Sequence, residues 1–597
     1  MSANLAAKLA AAVDALSQST PQASEANAFL VSLSSDPSAP QACEALLAAP
    51  DAAPEPALVV AAGILTESLC TASVVPAEGA ARAVRLLELC AGVPSRPAAA
   101  RLAKASAALA AASHSEPSLL ATPLFVGLDQ ARQLMLLQAL PETLETQCSP
   151  EELSARAPAR GACTMAVRLL QRALLPPPAG SLGDAEGSAA ALACLASWAA
   201  CGLFGYGELS SEPCEPLLEA LLALVRCPLA APPAGAVAGA VAGWAEPQRV
   251  LVAALAANTL RCCVACSMDL YEEHELEDCS ELLAAVAAYA PHVAGLGVPR
   301  LDSAGITDGG EAAGGEGAAR LASELVGLAA LTIELLAEPV ATVDLTDLSR
   351  AADADTDTDA ADAAAVRGAC ALMLAGSAHP LESVAEAAAG GWTRLLEALP
   401  PRSAPFFFEA GGGPTLQWRN SLFTQVASHT VGRSSYAQLR RGTGEDAEDV
   451  VAYRDRCSTA LLRELSVELG LEWLRMLSAS LSQSLAGFPA SEEQVEAVES
   501  LLAAAAATSP RCATARLHDA EAQAAQVQAR GGVAAALAEL AARAGTAAAQ
   551  SLPGAQAGML GQSAAAAIEA LRALQAAWAG QPLARRLDAV RPPPLSM

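Results

Sequence analysis

Leu134-Met-Leu-Leu-Gln-Ala-Leu-Pro-Glu-Thr-Leu144 decides the fold class. Leu134, Leu137, Leu140 and Leu144 recur at steps of three and four residues. That spacing puts them on one stripe of an α-helix and fits no half-buried strand, whose apolar residues alternate. Leu461, Leu465 and Leu469 repeat the pattern, with Arg454, Arg456 and Glu464 on other faces. No alternation of apolar and polar residues runs long enough to demand a sheet.

Composition agrees. Hydrophobic residues make up 53% of the chain but aromatics only 3%, so alanine and leucine carry the apolar content. Both are strong helix formers, and the strand-favouring aromatic and β-branched types are scarce. Gly 42 and Pro 38 stay near ordinary usage, which excludes collagen and wholesale disorder. At 597 residues the chain exceeds what one hydrophobic core serves. Pro176-Pro177-Pro178, Pro232-Pro233, Pro400-Pro401 and Gly411-Gly412-Gly413 interrupt the helical pattern. Gly305 to Gly317 and the acidic stretch Asp344 to Asp362 read as solvated loops. Helical pairs of this kind bury their apolar faces by stacking, as in HEAT or armadillo arrays of roughly 40–47 residues per unit. The expected fold is all-α: an α-solenoid of helical hairpin repeats forming a curved superhelix.

Lys and Arg number 36 against 64 Asp and Glu, a net charge of −28. Nucleic-acid binding as the main activity is disfavoured, because its affinity comes from neutralising phosphates. An acidic surface favours basic partners instead. The 16 cysteines show no disulfide-framework spacing, which indicates a reducing compartment. The opening Met-Ser-Ala-Asn-Leu-Ala-Ala-Lys lacks the pattern of a secretory signal. Mean hydropathy is +0.33, yet the uncharged stretch Gly187 to Gly207 is poor in Leu, Ile and Val. It reads as a buried helix, and no membrane span is expected.

Three groups of residues invite a chemical reading. Cys262, Cys263, Cys266, His274 and Cys279 form the densest thiol and imidazole cluster, but the cysteines sit in a helical run without paired zinc knuckles. There they act as small hydrophobes. Asp353, Asp355, Asp357 and Asp359 imitate a calcium loop, with Thr358 where its glycine belongs and Ala364 where its glutamate belongs. His379 before Pro380 is the most conspicuous histidine, with no nucleophile elbow or phosphate loop to accompany it. No catalytic, cofactor-binding or metal residue is assigned, and no enzyme is expected.

Several ordered segments resemble the importin-β superfamily of nuclear transport receptors, specifically its transportin-SR/importin-thirteen branch. Ala26-Asn27-Ala28-Phe29-Leu30 followed by Ser35, Ala39, Cys43 and Leu46-Leu47 is similar to the family's opening repeat, with Phe29 where tryptophan is usual. Val60-Ala61-Ala62, Leu65 and Leu69 resemble the next helix, with Glu67 at a usually basic place. Leu134 to Glu142 is similar to a helix end ending in a Leu-Pro-Glu-Glu run. Ser197-Trp198, Gly202 and Pro216-Leu217-Leu218 match a Ser-Trp, Gly, Pro-Leu-Leu segment. Ala378 to Val384 with Trp392, Tyr453-Arg454 through Leu469-Gly470, and Val495-Glu496-Ala497 resemble later segments. The likeness covers roughly residues 5 to 510 and fades from about Thr508.

The resemblance implies a non-catalytic carrier without cofactors that shuttles between nucleus and cytoplasm. Its partners would be Ran-GTP at the amino-terminal repeats, nucleoporins, and basic cargo such as Arg/Ser-rich splicing factors, carried mainly inward. Receptors of this branch are longer, so part of the inner arch is expected to be missing. The division that follows is 1–175 as N-terminal repeats with the Ran-binding region, and 176–300 as further repeats. Residues 301–366 form a helix between Gly-rich and acidic loops, 367–510 form more repeats, and 511–597 an Ala-rich helical segment. The rival expectation is an α-solenoid scaffold with no Ran response.

Overall fold

The computed structural model describes residues 2–17, 22–34, 36, 38–50, 53–71, 76–175, 185–229, 241, 244–270, 280–296, 312–335, 357–398, 414–434, 453–485, 497, 500–501, 503–505, 507–508, 532, 535 and 539. The breakers at Pro176–Pro178, Pro232–Pro233, Pro400–Pro401 and Gly411–Gly413, together with His274, Cys279, Asp353, Asp355 and nearly all of 511–597, lie outside them. Among the described residues every regular element is helical and no strand occurs, so the chain is all-α. Contacts divide it into two compact units, Met1–Leu276 and Glu277–Met597.

The first unit contains α1 (Ser2–Ser17), α2 (Ala23–Ser34), α3 (Ala39–Ala48), α4 (Glu55–Thr71), α5 (Pro76–Gly92), α6 (Arg96–Ala112), α7 (Glu116–Leu120) and α8 (Pro123–Val126). It continues with α9 (Gln130–Gln147), α10 (Pro150–Ala155), α11 (Ala157–Leu174), α12 (Ala185–Ala200), α13 (Tyr206–Leu209), α14 (Glu215–Arg226) and α15 (Glu246–Leu270). Proline stands at the first or second position of α3, α6, α7, α8, α10, α11 and α14. A proline that cannot continue one helix is preorganised to start the next, because the first turn has no amide bond to lose. Ser95, Thr122, Asp129 and Ser149 add side-chain caps to the first amides, Ser149 in a reciprocal box with Glu152. Gly202, at φ 79°, closes α12 in the left-handed conformation, with its own N–H on the Ala199 carbonyl and the Leu203 N–H on that of Trp198.

These helices pack in two rows. One runs α4, α6, α9, α12, α15, each against the next; the other runs α3, α5, α7, α11, α14. Pairs α3–α4, α5–α6, α11–α12 and α14–α15 join the rows. The leucines that opened the sequence reading face inward: Leu134, Leu136, Leu137, Leu140 and Leu144 are all buried in α9. The helix does not end at Pro141, as the family likeness suggested, but continues to Gln147. An interior proline costs about 3 kcal/mol in a helix. Burial of Pro141 and Leu144 offsets it, as does the Thr143 hydroxyl, which donates to the Ala139 carbonyl at 2.7 Å.

The second unit contains α16 (Ser280–Ala287), a 3₁₀ turn (Val293–Gly295), α17 (Ala312–Leu335), α18 (Asp357–Ser377), α19 (Glu382–Ala398) and α20 (Pro414–Arg433). After a π turn (Arg454–Ser458) come α21 (Thr459–Leu469) and α22 (Leu471–Leu485), separated by Gly470 at φ 50°. Alternate helices again form rows: α16, α18, α20 and α22 in one, α17, α19 and α21 in the other. Both loop expectations need correction at their ends. α17 begins within Gly305 to Gly317, and α18 begins within Asp344 to Asp362. Alanine favours helix there.

Small residues let these helices approach closely. A Cβ on Gly391 of α19 would lie 2.4 Å from the Ala330 Cβ of α17 and 3.2 Å from its Cα. A Cβ on Gly368 of α18 would lie 2.4 Å from the Ala287 Cβ of α16. Close backbone approach thus replaces the large side chains that an Ala-rich core lacks. Gly390, one residue away, has nothing within 4 Å of its would-be Cβ. Gly390→Ala is therefore expected to raise stability by up to about 1 kcal/mol through helix propensity. Gly391→Ala is expected to lower it by about 1–3 kcal/mol through overpacking. Paired denaturant unfolding of the two variants checks the opposite signs.

Candidate functional site

Cys262, Cys263 and Cys266 of the sequence cluster lie within α15. Cys263 and Cys266 are buried and Cys262 is half-buried. Burial pushes the Cys163 and Cys263 thiols well up, and raises those of Cys194 and Cys201 to about 12. They remain protonated at neutral pH and behave as packing groups. Two also bond to distant backbone: the Cys194 thiol donates to the Leu134 carbonyl of α9 at 3.2 Å, and the Cys163 thiol to that of Leu203, in the turn after α12, at 3.4 Å. Among the described residues no three His, Cys, Asp or Glu side chains converge as metal ligands.

His379 is 1% exposed, between α18 and α19. Its Nδ1 accepts the Leu381 N–H at 3.2 Å, which places the proton on Nε2, 2.9 Å from the Leu296 carbonyl that it donates to. With both nitrogens committed to backbone, it braces the chain and offers no base to a substrate. Burial holds its pKa below the ordinary 6.5, and the Arg433 charge pushes the same way against the Leu296 and Val293 carbonyls. In the unfolded chain the imidazole titrates near 6.5, so its contribution is intact above that pH. It is lost as pH falls from there through the lower folded value. Thermal unfolding from neutral to acid pH should show this loss in the second unit, and His379→Gln should flatten the slope.

Buried charge occurs at the junction of α6, α7 and α11. Arg156, the residue before α11, reaches the Glu116 Oε1 at 2.5 Å through Nη2, which also donates to the Ala111 carbonyl. Its Nη1 lies 3.2 Å from the Cys148 sulfur. Glu116 is 0% and Arg156 9% exposed in their side chains. The arrangement ties the end of α6 to the starts of α7 and α11.

Two grooves open on the first unit. The first, about 600 Å³, is bordered by Arg96, Asp129, Arg132 and Glu186. Its charges answer one another: Arg96 lies 3.5 Å from Glu186, and Arg132 pairs with Asp129 and donates to the Cys90 and Val93 carbonyls. The second, about 590 Å³, has Val167, Leu175, Leu203 and Phe204 among its lining, with Arg168 and Arg172 beside them. Glu208 also lines it, with Oε2 accepting the Gly205 N–H at 2.9 Å.

Sequence reading overlooked this second groove. Its signal was present in α11, Ala-Pro-Ala-Arg-Gly-Ala-Cys-Thr-Met-Ala-Val-Arg-Leu-Leu-Gln-Arg-Ala-Leu, which holds three arginines and no acidic residue. Whether charges at that spacing are paired depends on neighbouring helices. One described helix, Glu246–Ser267, is long and apolar enough to cross a membrane, and 67% of an 18-residue window in it is buried inside the protein. It is not the Gly187 to Gly207 stretch, whose Trp198, Leu192 and Leu195 are buried in α12. No protein-family model matches the chain, and no curated protein matches it.

Proposed function

We propose that the chain is a HEAT-like α-solenoid that works by binding other proteins, and that it serves as a nuclear transport receptor for basic cargo under Ran-GTP control. The observation carrying the solenoid is a regular step in the bonds between successive helical pairs. Arg85 meets Glu44 across 41 residues and Ser95 meets Glu55 across 40. Arg101 meets Val59 across 42, Arg132 meets Cys90 across 42, Arg156 meets Glu116 across 40, and Gln171 meets Pro213 across 42. Such a step matches one HEAT unit of roughly 40–47 residues. Later bonds span 60 and 67 residues, Cys194 to Leu134 and Thr259 to Leu192, where the connections lengthen.

In such an array each unit touches only its neighbours, so small changes sum along the chain. A partner that prefers one curvature then alters the affinity for a partner that prefers another. The net charge of −28 supports basic cargo, and the ordered family-like segments support the transport role. The two rows of helices also favour a second reading, a scaffold that holds partners without any Ran response, because stacking alone requires no nucleotide-bound ligand. A pull-down against Ran loaded with GTP or with GDP separates them. Preference for the GTP form supports the receptor; equal or absent binding in both states leaves the scaffold.

A further inference from the structure

Arg160, Arg168 and Arg172 are exposed along one side of α11, Thr164 completing the four-residue steps. None of the three makes an ion pair among the described residues. Elsewhere in this unit Arg82 pairs with Glu78, Arg85 with Glu44 and Glu88, and Arg96 with Glu186, while the exposed Arg101 and Arg226 stand singly on their helices without an ion pair among the described residues. In a chain with almost twice as many acidic as basic residues, a helix carrying three unmatched arginines and no acid departs from its surroundings. The ridge borders the second groove, whose floor includes the buried Val167 and Phe204.

We infer that the α11 arginine ridge and the groove beside it dock an acidic protein segment bearing a large apolar side chain. Carboxylates of the segment meet Arg168 and Arg172, and the apolar side chain enters between Val167, Leu203 and Phe204. Glu208 keeps its negative charge in the groove, with Oε2 held on the Gly205 amide, but Arg168 and Arg172 outnumber it there. The protein's overall negative charge opposes an acidic partner at long range, but fields are screened within about 8 Å at physiological salt. At contact the local arginines decide. This surface is independent of the Ran reading, and its binding needs no nucleotide.

The test uses the full chain and a short fluorescein-labelled peptide of glutamates around a central Leu-Phe pair, followed by anisotropy. Saturable binding is expected at low salt, weakening as salt rises. The double variant Arg168→Glu/Arg172→Glu should bind about tenfold more weakly or worse, since two exposed ion pairs become repulsions. Its melting temperature should stay unchanged because both side chains are exposed. Arg475→Glu, in α22, should leave the affinity as it was, and a peptide with Gly-Gly for Leu-Phe should bind more weakly. Absent binding, equal affinity in the double variant, indifference to the Leu-Phe pair, or displacement of the peptide by oligo-dT of equal charge would each overturn the inference.

Discussion

Glu116→Ala is expected to lower the stability of the first unit by about 3–5 kcal/mol, because it leaves the Arg156 guanidinium buried without its anion. Arg156→Ala should cost as much, by stranding a carboxylate that is 0% exposed. The pair is not fully satisfied even in the native fold. Glu116 Oε2 and Arg156 Nε are buried without hydrogen-bond partners. Burial raises the Glu116 carboxyl above its ordinary pKa, with the Arg156 charge opposing. Desolvation therefore outweighs attraction. It follows that removing both charges at once, Glu116→Leu with Arg156→Met, should recover most of the loss. The Ala111 carbonyl would still accept the His114 N–H at 3.2 Å, so the end of α6 stays satisfied. Urea unfolding of both singles and the double, followed by circular dichroism, gives the coupling. A double variant as unstable as the sum of the singles would contradict it.

Trp392→Ala should destabilise the second unit by about 3–5 kcal/mol, the usual cost of deleting a buried indole. The side chain is 0% exposed. Its ring meets Phe423 edge-to-face, with centroids 6.3 Å apart and planes at 84°. Its N–H donates to the Ser377 Oγ at 3.0 Å, while that hydroxyl donates to the Met373 carbonyl at 3.0 Å. Trp392 thus joins α19 to both α18 and α20. Trp392→Phe keeps most of the apolar contact and loses the hydrogen bond, so about 1–2 kcal/mol is expected. Chemical unfolding of the two variants separates packing from polar terms. Equal losses would mean that the indole N–H, not the ring volume, dominates.

The helical class was legible from periodicity alone. Leu134 to Leu144 and Leu461 to Leu469 are buried where their three- and four-residue steps put them. The proline breaks were legible in part, since Pro97, Pro117 and Pro158 begin helices as well as separating them. Pro141 was misleading because a local rule about proline yields to the burial of the residues around it. No period stood out in the sequence, because alanine and leucine recur too often; the bonds of Arg85, Arg101 and Arg132 to partners 41, 42 and 42 residues away, which support the proposed repeat, appear only in the structure.

By itself the sequence determined an acidic, all-helical chain with apolar stripes, because helix geometry needs only nearest neighbours along the chain. Only the tertiary structure decided which arginine is answered by an acid and which is left facing solvent. The same holds for which glycine touches a neighbouring backbone, and for His379, which became a brace and not a base. Those outcomes depend on atoms dozens of residues away, and only packing brings them within a few ångströms.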